Sequence, residues 1–278
     1  MVNIIFGSSG SLGSSIIQVL FKKYKNKKFL LSSRNKPNYI KDSWIKFDLN
    51  KNFKTFKYKD IECCIFLASP RYLNKNMNLK IFNQEFLWVR KVVKNINIKK
   101  LIYISSPTIY LKKHYVGGNK IKIENYLLKN KKKFETLQIW RPYNLVNTDQ
   151  KSYSDHFHCL LYKIMFLEKR SKYEFLGSKL DTRGYSEINQ FSKILLKNAF
   201  TKKSFVKDYG NPNGISINKI IQLYNKYFLL KFKKVFIPSF KSKQRNVNVI
   251  KKNSKSAIYS KQSSLYVLRK YLLNNLYG

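Results

Sequence analysis

The sequence has few acidic residues and few arginines. Of its 278 residues only 14 are Asp or Glu, against 56 Lys or Arg, which gives a formal net charge of +42. Eight of the basic residues are Arg, the residue best suited to bidentate recognition of bases and phosphates. The lysines are spread along the chain, and Asn, Ile, Tyr and Phe, which share A/T-rich codons with Lys, are also abundant. We therefore attribute the charge to genome composition and expect no specific nucleic-acid partner.

Three further scarcities exclude other classes of protein. Three cysteines without a C-x-x-C pair argue against a disulfide scaffold and favour a reduced, cytoplasmic location. No uncharged run approaches the roughly 18 residues of a membrane span, and the chain begins in its first predicted strand, so we expect a soluble protein without a membrane partner. The segment 155–159 carries Asp, His and Cys, but its spacing matches no common zinc pattern, and we expect no metal.

The most informative stretch that is present is the N-terminal glycine segment. Val2 to Phe6 is apolar and rich in β-branched residues, and Gly7, Gly10 and Gly13 follow it before an amphipathic stretch. This order predicts a strand, a tight turn and a helix. Glycines at such a junction let the backbone approach a pyrophosphate, whose charge the free N–H groups of the helix N-terminus can meet.

Strand and helix patterns alternate after this turn. Strands are predicted at residues 28–33, 44–49, 62–69 and 101–105, and a long helix at 77–95. This spacing predicts an α/β fold with a Rossmann-type, doubly wound parallel sheet and a smaller α/β substrate lobe. We expect residues 1–142 to form the dinucleotide-binding domain and 143–278 mainly the substrate lobe, with part of 185–215 returning to the sheet.

The end of the second predicted strand indicates which dinucleotide is bound. An acidic residue at this point of a dinucleotide fold would hold the ribose 2′-hydroxyl, but the sequence has Ser33 and Arg34 there. A hydroxyl and a guanidinium suit a 2′-phosphate. We therefore expect NADP as the cofactor, with NAD as the alternative.

Several motifs along the chain carry a family resemblance. They are Phe-Asp-Leu at 47–49, Ile-Phe-Leu-Ala-Ser at 65–69, Asn83, and Tyr-Ile-Ser-Ser-x-x-Ile-Tyr at 103–110, followed by blocks at 139–144, 182–189 and 210–217. In this order they resemble the extended short-chain dehydrogenase/reductase family, and within it the nucleotide-sugar type of NAD-dependent epimerase/dehydratase. The resemblance covers roughly residues 1 to 250.

The resemblance implies an NADP-dependent reductase or epimerase acting on a nucleotide-linked keto-sugar, in surface-polysaccharide synthesis, with a homodimer as one assembly. It implies substrate contacts at Asn144, Arg183 and Arg245, the two arginines binding the diphosphate. The residues that it implies for the cofactor are Gly7, Gly10, Ser11, Leu12, Gly13, Ser33, Arg34, Asp48, Leu49, Leu67, Ala68 and Lys120.

The catalytic residues implied by the resemblance are Ser106, Tyr115 and Lys120, but the tyrosine is displaced. The family spacing puts Val116 where the tyrosine should stand, one residue after Tyr115. Positions five apart on a helix differ by about 140° around its axis, so Tyr115 and Lys120 share a face only if the helix begins later. Gly117 and Gly118 are poor helix residues, which makes a later start of the helix one of the alternatives.

Three alternatives stay open at this stage. In the first, the chain is an enzyme whose acid is Tyr115 or another group such as His114. In the second, it is a catalytically silent protein that binds dinucleotide. A polyanion-binding protein that has kept the fold is the third.

Overall fold

The structure is a computed structural model, and it describes most of the chain. The described residues are 1–36, 43–51, 53, 56–70, 79–110, 115–148, 172–176, 181–228, 233–237 and 256–276. They divide into two compact units. The first comprises Met1–Pro142 with Ser192–Lys207, and the second comprises Tyr143–Phe191 with Asp208–Gly278.

The first unit alternates strands and helices. Its strands carry buried apolar residues on both faces, as parallel strands between two helical layers do. Its helices each bury one face; in the first of them Ile16, Ile17 and Leu20 are buried. The elements are β1 Val2–Phe6, α1 Ser11–Lys23, β2 Phe29–Ser33, β3 Trp44–Lys46, β4 Asp60–Phe66, α2 Leu79–Asn95, β5 Asn97–Ile104, α3 Tyr115–Lys129 and β6 Thr136–Pro142.

The remaining elements follow β6. They are β7 Leu145–Val146, β8 Lys172–Leu176, β9 Thr182–Arg183, β10 Ser186–Glu187, α4 Ile188–Ala199, β11 Phe205–Gly210, β12 Ile215–Ser216, α5 Ile217–Phe228, β13 Lys233–Ile237, β14 Ala257–Tyr259 and α6 Ser264–Leu276.

The main sheet has eight strands in the order β14-β11-β6-β5-β4-β1-β2-β3, and its strands run parallel. The predicted Rossmann-type α/β fold is confirmed. The strand order reverses between β1 and β4, because the chain moves outward through β2 and β3 and then crosses back. In such sheets ligands bind beyond the carboxyl ends of the two strands that flank this reversal.

The second unit has a core of its own. Residues from α5 and α6 pack together, including Ile220, Leu268 and Leu272, all fully buried. Three two-stranded ladders accompany this core: β10 with β7, β12 with β9, and β13 with β8. Among the described residues, no helix is long and apolar enough to cross a membrane.

Strand β5 begins four residues earlier than the sequence pattern predicted. Lys99 and Lys100 hide this part of the strand, because lysine is unusual in a central strand. Lys100 is accommodated because its Nζ donates to the carbonyls of Ala199 (2.6 Å) and Thr201 (2.5 Å), at the C-terminal end of α4. A cation at that end also suits the helix dipole.

The alternative of a late start for α3, which would have let Tyr115 share a face with Lys120, is not observed. The helix begins at Tyr115 and runs through both glycines. A Cβ on Gly117 would collide with the carbonyl oxygen of Thr108, whereas a Cβ on Gly118 would meet nothing within 4 Å. Gly117 is therefore required for the close approach of α3 to the 3-10 turn Pro107–Tyr110, and Gly118 is not.

These two glycines predict opposite effects on stability. Gly118→Ala should raise the free energy of unfolding by about 0.5–1 kcal/mol, because Ala is the better helix former and the added methyl group is unobstructed. Gly117→Ala should lower it by roughly 1–3 kcal/mol, because the methyl group overlaps the backbone of the turn. Urea unfolding of both variants measures the difference. Equal shifts in the two variants would contradict the packing described for Gly117.

Candidate functional site

The turn after β1 is built around Gly7, which has a positive φ of 83°. Its N–H donates to the carbonyl of Ser32 (2.9 Å), and a Cβ at this position would lie only 2.7 Å from the backbone nitrogen of Ala68. Residue 7 must be glycine for both reasons. Since Ala68 follows β4, this contact lies at the reversal of strand order.

The other two glycines of the turn have different surroundings. A Cβ on Gly13 would lie 2.5 Å from the carbonyl oxygen of Ser8, so Gly13 lets α1 pack against the turn. Gly10 has an ordinary φ of −78°, and the nearest atom to its added Cβ would be 3.6 Å away. Nothing in the described protein requires glycine at position 10, which leaves bare backbone on the open side of the turn.

This cradle fits a pyrophosphate. Gly10 is the N-cap of α1 and makes no side-chain cap hydrogen bond, and the first turn of the helix has no acidic residue. The first N–H groups of a helix favour an anion, and the absence of an acidic side chain leaves that preference unopposed. Ser11 and Leu12 are in this first turn. Leu67, after β4, lies beside Gly7, and its N–H donates to Phe6 O at 2.9 Å. The turn therefore fits the dinucleotide predicted from the sequence.

At the end of β2, Ser33 and Arg34 differ in their availability to a ligand. The buried Ser33 Oγ donates to Asn35 O (2.6 Å) and accepts from Trp44 Nε1 (3.0 Å), so it is engaged within the protein. Arg34 is exposed. Of the two, Arg34 is the residue available for a ribose phosphate, and the preference for NADP stays a prediction.

Asp48 and Leu49 follow β3. Asp48 is half-buried, and its Oδ1 accepts a hydrogen bond from the backbone N–H of Asn50 at 3.0 Å, which closes a short turn. Leu49 is buried in the core of this unit. The turn fixes the direction of the Asp48 carboxylate, and the roles of both residues toward a cofactor stay predictions.

Lys120 on α3 is almost completely buried, with 6% exposure. Its Nζ donates to Glu85 Oε1 at 2.6 Å and to the carbonyl of Ile104 at 3.1 Å, and it lies 5.0 Å from the ring centroid of Tyr103. Glu85, on α2, is only 1% exposed. Because an unpaired buried ammonium would be strongly unfavourable, Glu85 is the counter-ion that permits Lys120 at this position.

Ser106 ends the segment after β5 and is half-buried. Its Oγ accepts from the Thr108 hydroxyl at 3.0 Å and from the Thr108 N–H at 3.3 Å, so it caps the 3-10 turn. The hydroxyl keeps its own proton for a further acceptor. This arrangement is compatible with the predicted role of Ser106 in holding a reacting oxygen, and that role stays a prediction.

A second buried carboxylate, on α3, connects two of the sequence motifs, 103–110 and 139–144. Glu124, four residues after Lys120, receives two hydrogen bonds from Arg141, from Nε (3.0 Å) and from Nη2 (2.6 Å). Ser105 donates to the same carboxylate, and Arg141 Nη1 donates to Tyr110 OH at 2.8 Å. This network holds the end of β5, the 3-10 turn, α3 and β6 together, because a two-point Arg–carboxylate pair fixes both partners.

The backbone of α3 does not support Tyr115 as the replacement for the missing family tyrosine. The helix is intact from Tyr115, so this position and Lys120 are about 140° apart around the axis. Val116, at the position of the expected tyrosine, is half-buried. The side chain of Tyr115 lies outside the described part of the structure, as do His114 and the segment 155–159.

In the second unit, Arg183 and Asn144 are the described substrate candidates. Arg183 is half-buried on β9, and its Nε is buried without a hydrogen-bond partner in the structure. Asn144 has a positive φ of 36°, which Asn tolerates better than most residues, and its Nδ2 donates to Gly184 O at 3.0 Å. Asn144 therefore positions the backbone beside Arg183. Arg245 lies outside the described residues.

The two described cysteines, Cys63 and Cys64, are unsuited to act as nucleophiles. Burial raises the pKa of the Cys63 thiol to about 12 and also raises the pKa of Cys64. Neither is a thiolate near neutral pH. Within the described ranges there is also no group of three or more His, Cys, Asp or Glu side chains that could hold a metal ion.

Glu85 is the site residue that the sequence pattern did not reveal. Trp88, Val89 and Val92 are buried on the same helix, three, four and seven residues after Glu85. These spacings place Glu85 on the core-facing side of α2. An acidic residue at a core-facing position in a chain with only 14 acidic residues was the available signal.

Comparison with solved structures supports the fold. The chain is similar to MoeE5 in complex with UDP-glucose and NAD (TM-score 0.74, 13% identity, 99% of each chain covered). It is also similar to a UDP-glucuronic acid 4-epimerase from Bacillus cereus (0.72, 19%, 100% of each) and a UDP-N-acetylglucosamine 4-epimerase from Methanobrevibacter ruminantium (0.70, 16%, 99% of each). No protein-family model and no curated protein sequence matches the chain. At these identities the similarity establishes the fold.

The open space at Gly10 gives a test of the cradle. Gly10→Ala should change the free energy of unfolding by less than about 1 kcal/mol, since no described atom obstructs the methyl group. It should weaken NADH binding by about tenfold or more, because the methyl group occupies the side from which a pyrophosphate approaches. Calorimetric titration and urea unfolding measure the two effects. Gly13→Ala is the contrasting variant, and it should lower both the free energy of unfolding and the affinity for NADH. Unchanged NADH affinity in Gly10→Ala would refute the cradle.

Proposed function

We propose that this protein is a dinucleotide-dependent enzyme of nucleotide-sugar metabolism, an epimerase or keto-sugar reductase. The observation that carries this proposal is the glycine cradle at the reversal of strand order. Gly7 lies against Ala68, and α1 follows its N-cap Gly10 without a side-chain cap or an acidic residue in its first turn. A turn in which backbone replaces side chains is what a pyrophosphate requires.

The fold comparisons support the same class. The similar structures are 4-epimerases or complexes with UDP-sugars, and several of them contain NAD. Their similarity extends over nearly all of each chain, so this chain has room for both a cofactor domain and a substrate lobe. We assign residues 1–142 to the cofactor and most of 143–278 to the substrate.

When bound, the nicotinamide ring would supply the hydride acceptor or donor. The described residues suit the other tasks of such a site. Arg34 would bind the adenosine side, and Lys120 would donate a hydrogen bond from its Nζ to the nicotinamide ribose. Ser106 Oγ would orient the reacting oxygen of the sugar. Tyr115 is the candidate for moving the proton at that oxygen.

Arg183 is the substrate residue best supported by the structure. Its buried Nε lacks a hydrogen-bond partner among the described residues, and a buried unpaired N–H is costly unless a ligand satisfies it. A diphosphate would accept from this nitrogen and from the rest of the guanidinium fork. Asn144 would hold the backbone next to Arg183 in place through its hydrogen bond to Gly184 O. Arg245 is proposed as a second diphosphate ligand on the resemblance alone.

The second candidate function is a catalytically silent protein that binds dinucleotide. Two observations favour it. Val116 stands where the family has its tyrosine, and the carboxylate of Glu85 lies 2.6 Å from the Lys120 ammonium. A lysine that is neutralised by a carboxylate is less able to lower the pKa of a nearby phenol.

The finer features of the proposal are a preference for NADP, a role in surface-polysaccharide synthesis, a cytoplasmic location and a homodimer. Exposed apolar side chains on α2 and α3 favour the homodimer. Leu87 is exposed on α2, and Ile121 and Leu128 are exposed seven residues apart on one face of α3. Exposed apolar groups of this kind are candidates for contact with a second copy.

The decisive experiment is a binding and turnover panel with the full chain. We expect NADPH or NADH to bind, and we expect a UDP-hexose, a UDP-N-acetylhexosamine or a UDP-uronic acid to be epimerised, or a nucleotide 4-keto-sugar to be reduced. Chromatography of the sugar nucleotides and NADPH absorbance measure these outcomes. Binding of DNA that falls steeply between 50 and 200 mM salt, without any dinucleotide binding, would instead indicate a polyanion-binding protein.

Tyr115→Phe separates the two candidate functions in the same panel. A loss of turnover of about 10²–10⁴-fold with unchanged dinucleotide affinity is expected if this phenol moves the proton. Unchanged turnover would eliminate Tyr115 as the acid. Dinucleotide binding without turnover of any substrate would favour the silent protein.

Arg34 gives a test of cofactor choice. Arg34→Ala should weaken NADPH binding by about tenfold and change NADH binding less than twofold, since a charged hydrogen bond to the 2′-phosphate is lost only for NADPH. Arg90→Ala, which removes an exposed arginine from α2, is the control for loss of one positive charge. Equal weakening of both cofactors by Arg34→Ala, or tighter binding of NADH than NADPH to the wild type, would refute the NADP preference.

A further inference from the structure

The buried pair of Glu85 and Lys120 carries an inference beyond the proposed function. Glu85 Oε1 accepts hydrogen bonds from Lys120 Nζ (2.6 Å) and from Tyr103 OH (2.9 Å), and its Oε2 accepts from Ser69 Oγ (3.1 Å). Three donors from three different elements therefore converge on one carboxylate. A carboxylate held in this way has a fixed position and orientation.

The elements that supply these donors are the ones that flank the cofactor cradle. Ser69 follows β4 directly after Ala68, which is packed against Gly7. Tyr103 is on β5, the strand that ends next to Ser106, and Lys120 is on α3. Glu85 thus links the ammonium group to the backbone segment that forms one side of the cradle.

The hydrogen bonds of Lys120 leave one donor for a ligand. An ammonium group has three N–H donors. Glu85 Oε1 and Ile104 O accept two of them, and these are the acceptors that the described structure provides. The two bonds also restrict the rotation of a side chain that would otherwise adopt many conformations. The third donor is therefore held in one direction.

The composition of the chain makes the position of Glu85 more informative. Acidic residues number 14 in 278, and this one lies on the core-facing side of a helix with 1% exposure. Buried carboxylates are rare unless they are paired. A buried ion pair contributes little to the net free energy of unfolding, so stability alone is a weak reason for its presence. A role in positioning Lys120 accounts for its place.

We propose that Glu85 is the positioning residue for Lys120, fixing the ammonium so that its remaining donor meets the nicotinamide ribose of the dinucleotide. This inference rests on the proposed function. Glu85 itself acts through Lys120 and does not touch the ligand. Its loss should therefore affect ligands that contain the nicotinamide half and spare ligands that contain only the adenosine diphosphate half.

The experiment compares the binding of NADH and ADP to the full-length protein by calorimetry. Glu85→Gln should weaken NADH binding by about tenfold, because the amide no longer holds the ammonium by charge, and should leave ADP binding within about twofold. Glu62→Gln removes an exposed carboxylate that pairs with Lys99 on the sheet, and is the control that leaves both affinities unchanged.

A second, milder variant tests the inference even if Glu85→Gln does not fold. Tyr103→Phe removes one hydrogen bond to Glu85 and retains the ion pair, and it should weaken NADH binding by about threefold without affecting ADP. Thermal unfolding of each variant establishes that it is folded at the temperature of the titration.

Three outcomes would overturn the inference. If Glu85→Gln binds NADH as the wild type does, Glu85 does not position Lys120. If NADH and ADP are weakened equally, Glu85 supports the fold as a whole. If wild-type protein binds neither ligand, the proposed function fails and this inference fails with it, which is distinguishable from the first two results.

Discussion

The buried carboxylate of Glu85 is the interaction that joins three segments of the first unit. It lies on α2 and receives hydrogen bonds from β5, from α3 and from the segment after β4. Removing a single partner of such a buried pair typically costs about 3–5 kcal/mol, because the remaining charge is uncompensated. The geometry of Lys120, and through Ser69 the segment packed against Gly7, follows from where this one carboxylate is placed.

The same logic organises the scarce acidic residues more widely. Glu124 is buried and holds Arg141 by two hydrogen bonds, and Glu187 in the second unit is buried and accepts from Lys270 and Thr148. Three of the 14 acidic residues, Glu85, Glu124 and Glu187, thus serve as buried hydrogen-bond acceptors. The net charge of +42 follows from the composition, with 56 Lys or Arg against 14 Asp or Glu.

Much of the fold was predictable because its signals are local. The apolar run Val2–Phe6 and the three glycines predicted β1, its turn and α1, and the alternation that follows predicted the doubly wound sheet. The early start of β5 was not predictable, because Lys100 is stabilised there by carbonyls about a hundred residues away. The start of α3 at Tyr115 was also missed, because helix propensity argued against Gly117 and Gly118, and the close packing that requires Gly117 is a tertiary contact.

The sequence by itself determined the alternation of strands and helices in the first unit and the position of the glycine turn, because these depend on spacing along the chain. The candidates Ser106, Lys120 and Arg183 came from the family resemblance of the motifs around them. Only the tertiary structure decided which glycines are needed for packing, that Ser33 is engaged internally, and that Lys120 is paired with Glu85. Such pairings join residues 35 apart in sequence. They arise because a buried charge requires a partner wherever the fold brings one within hydrogen-bond distance.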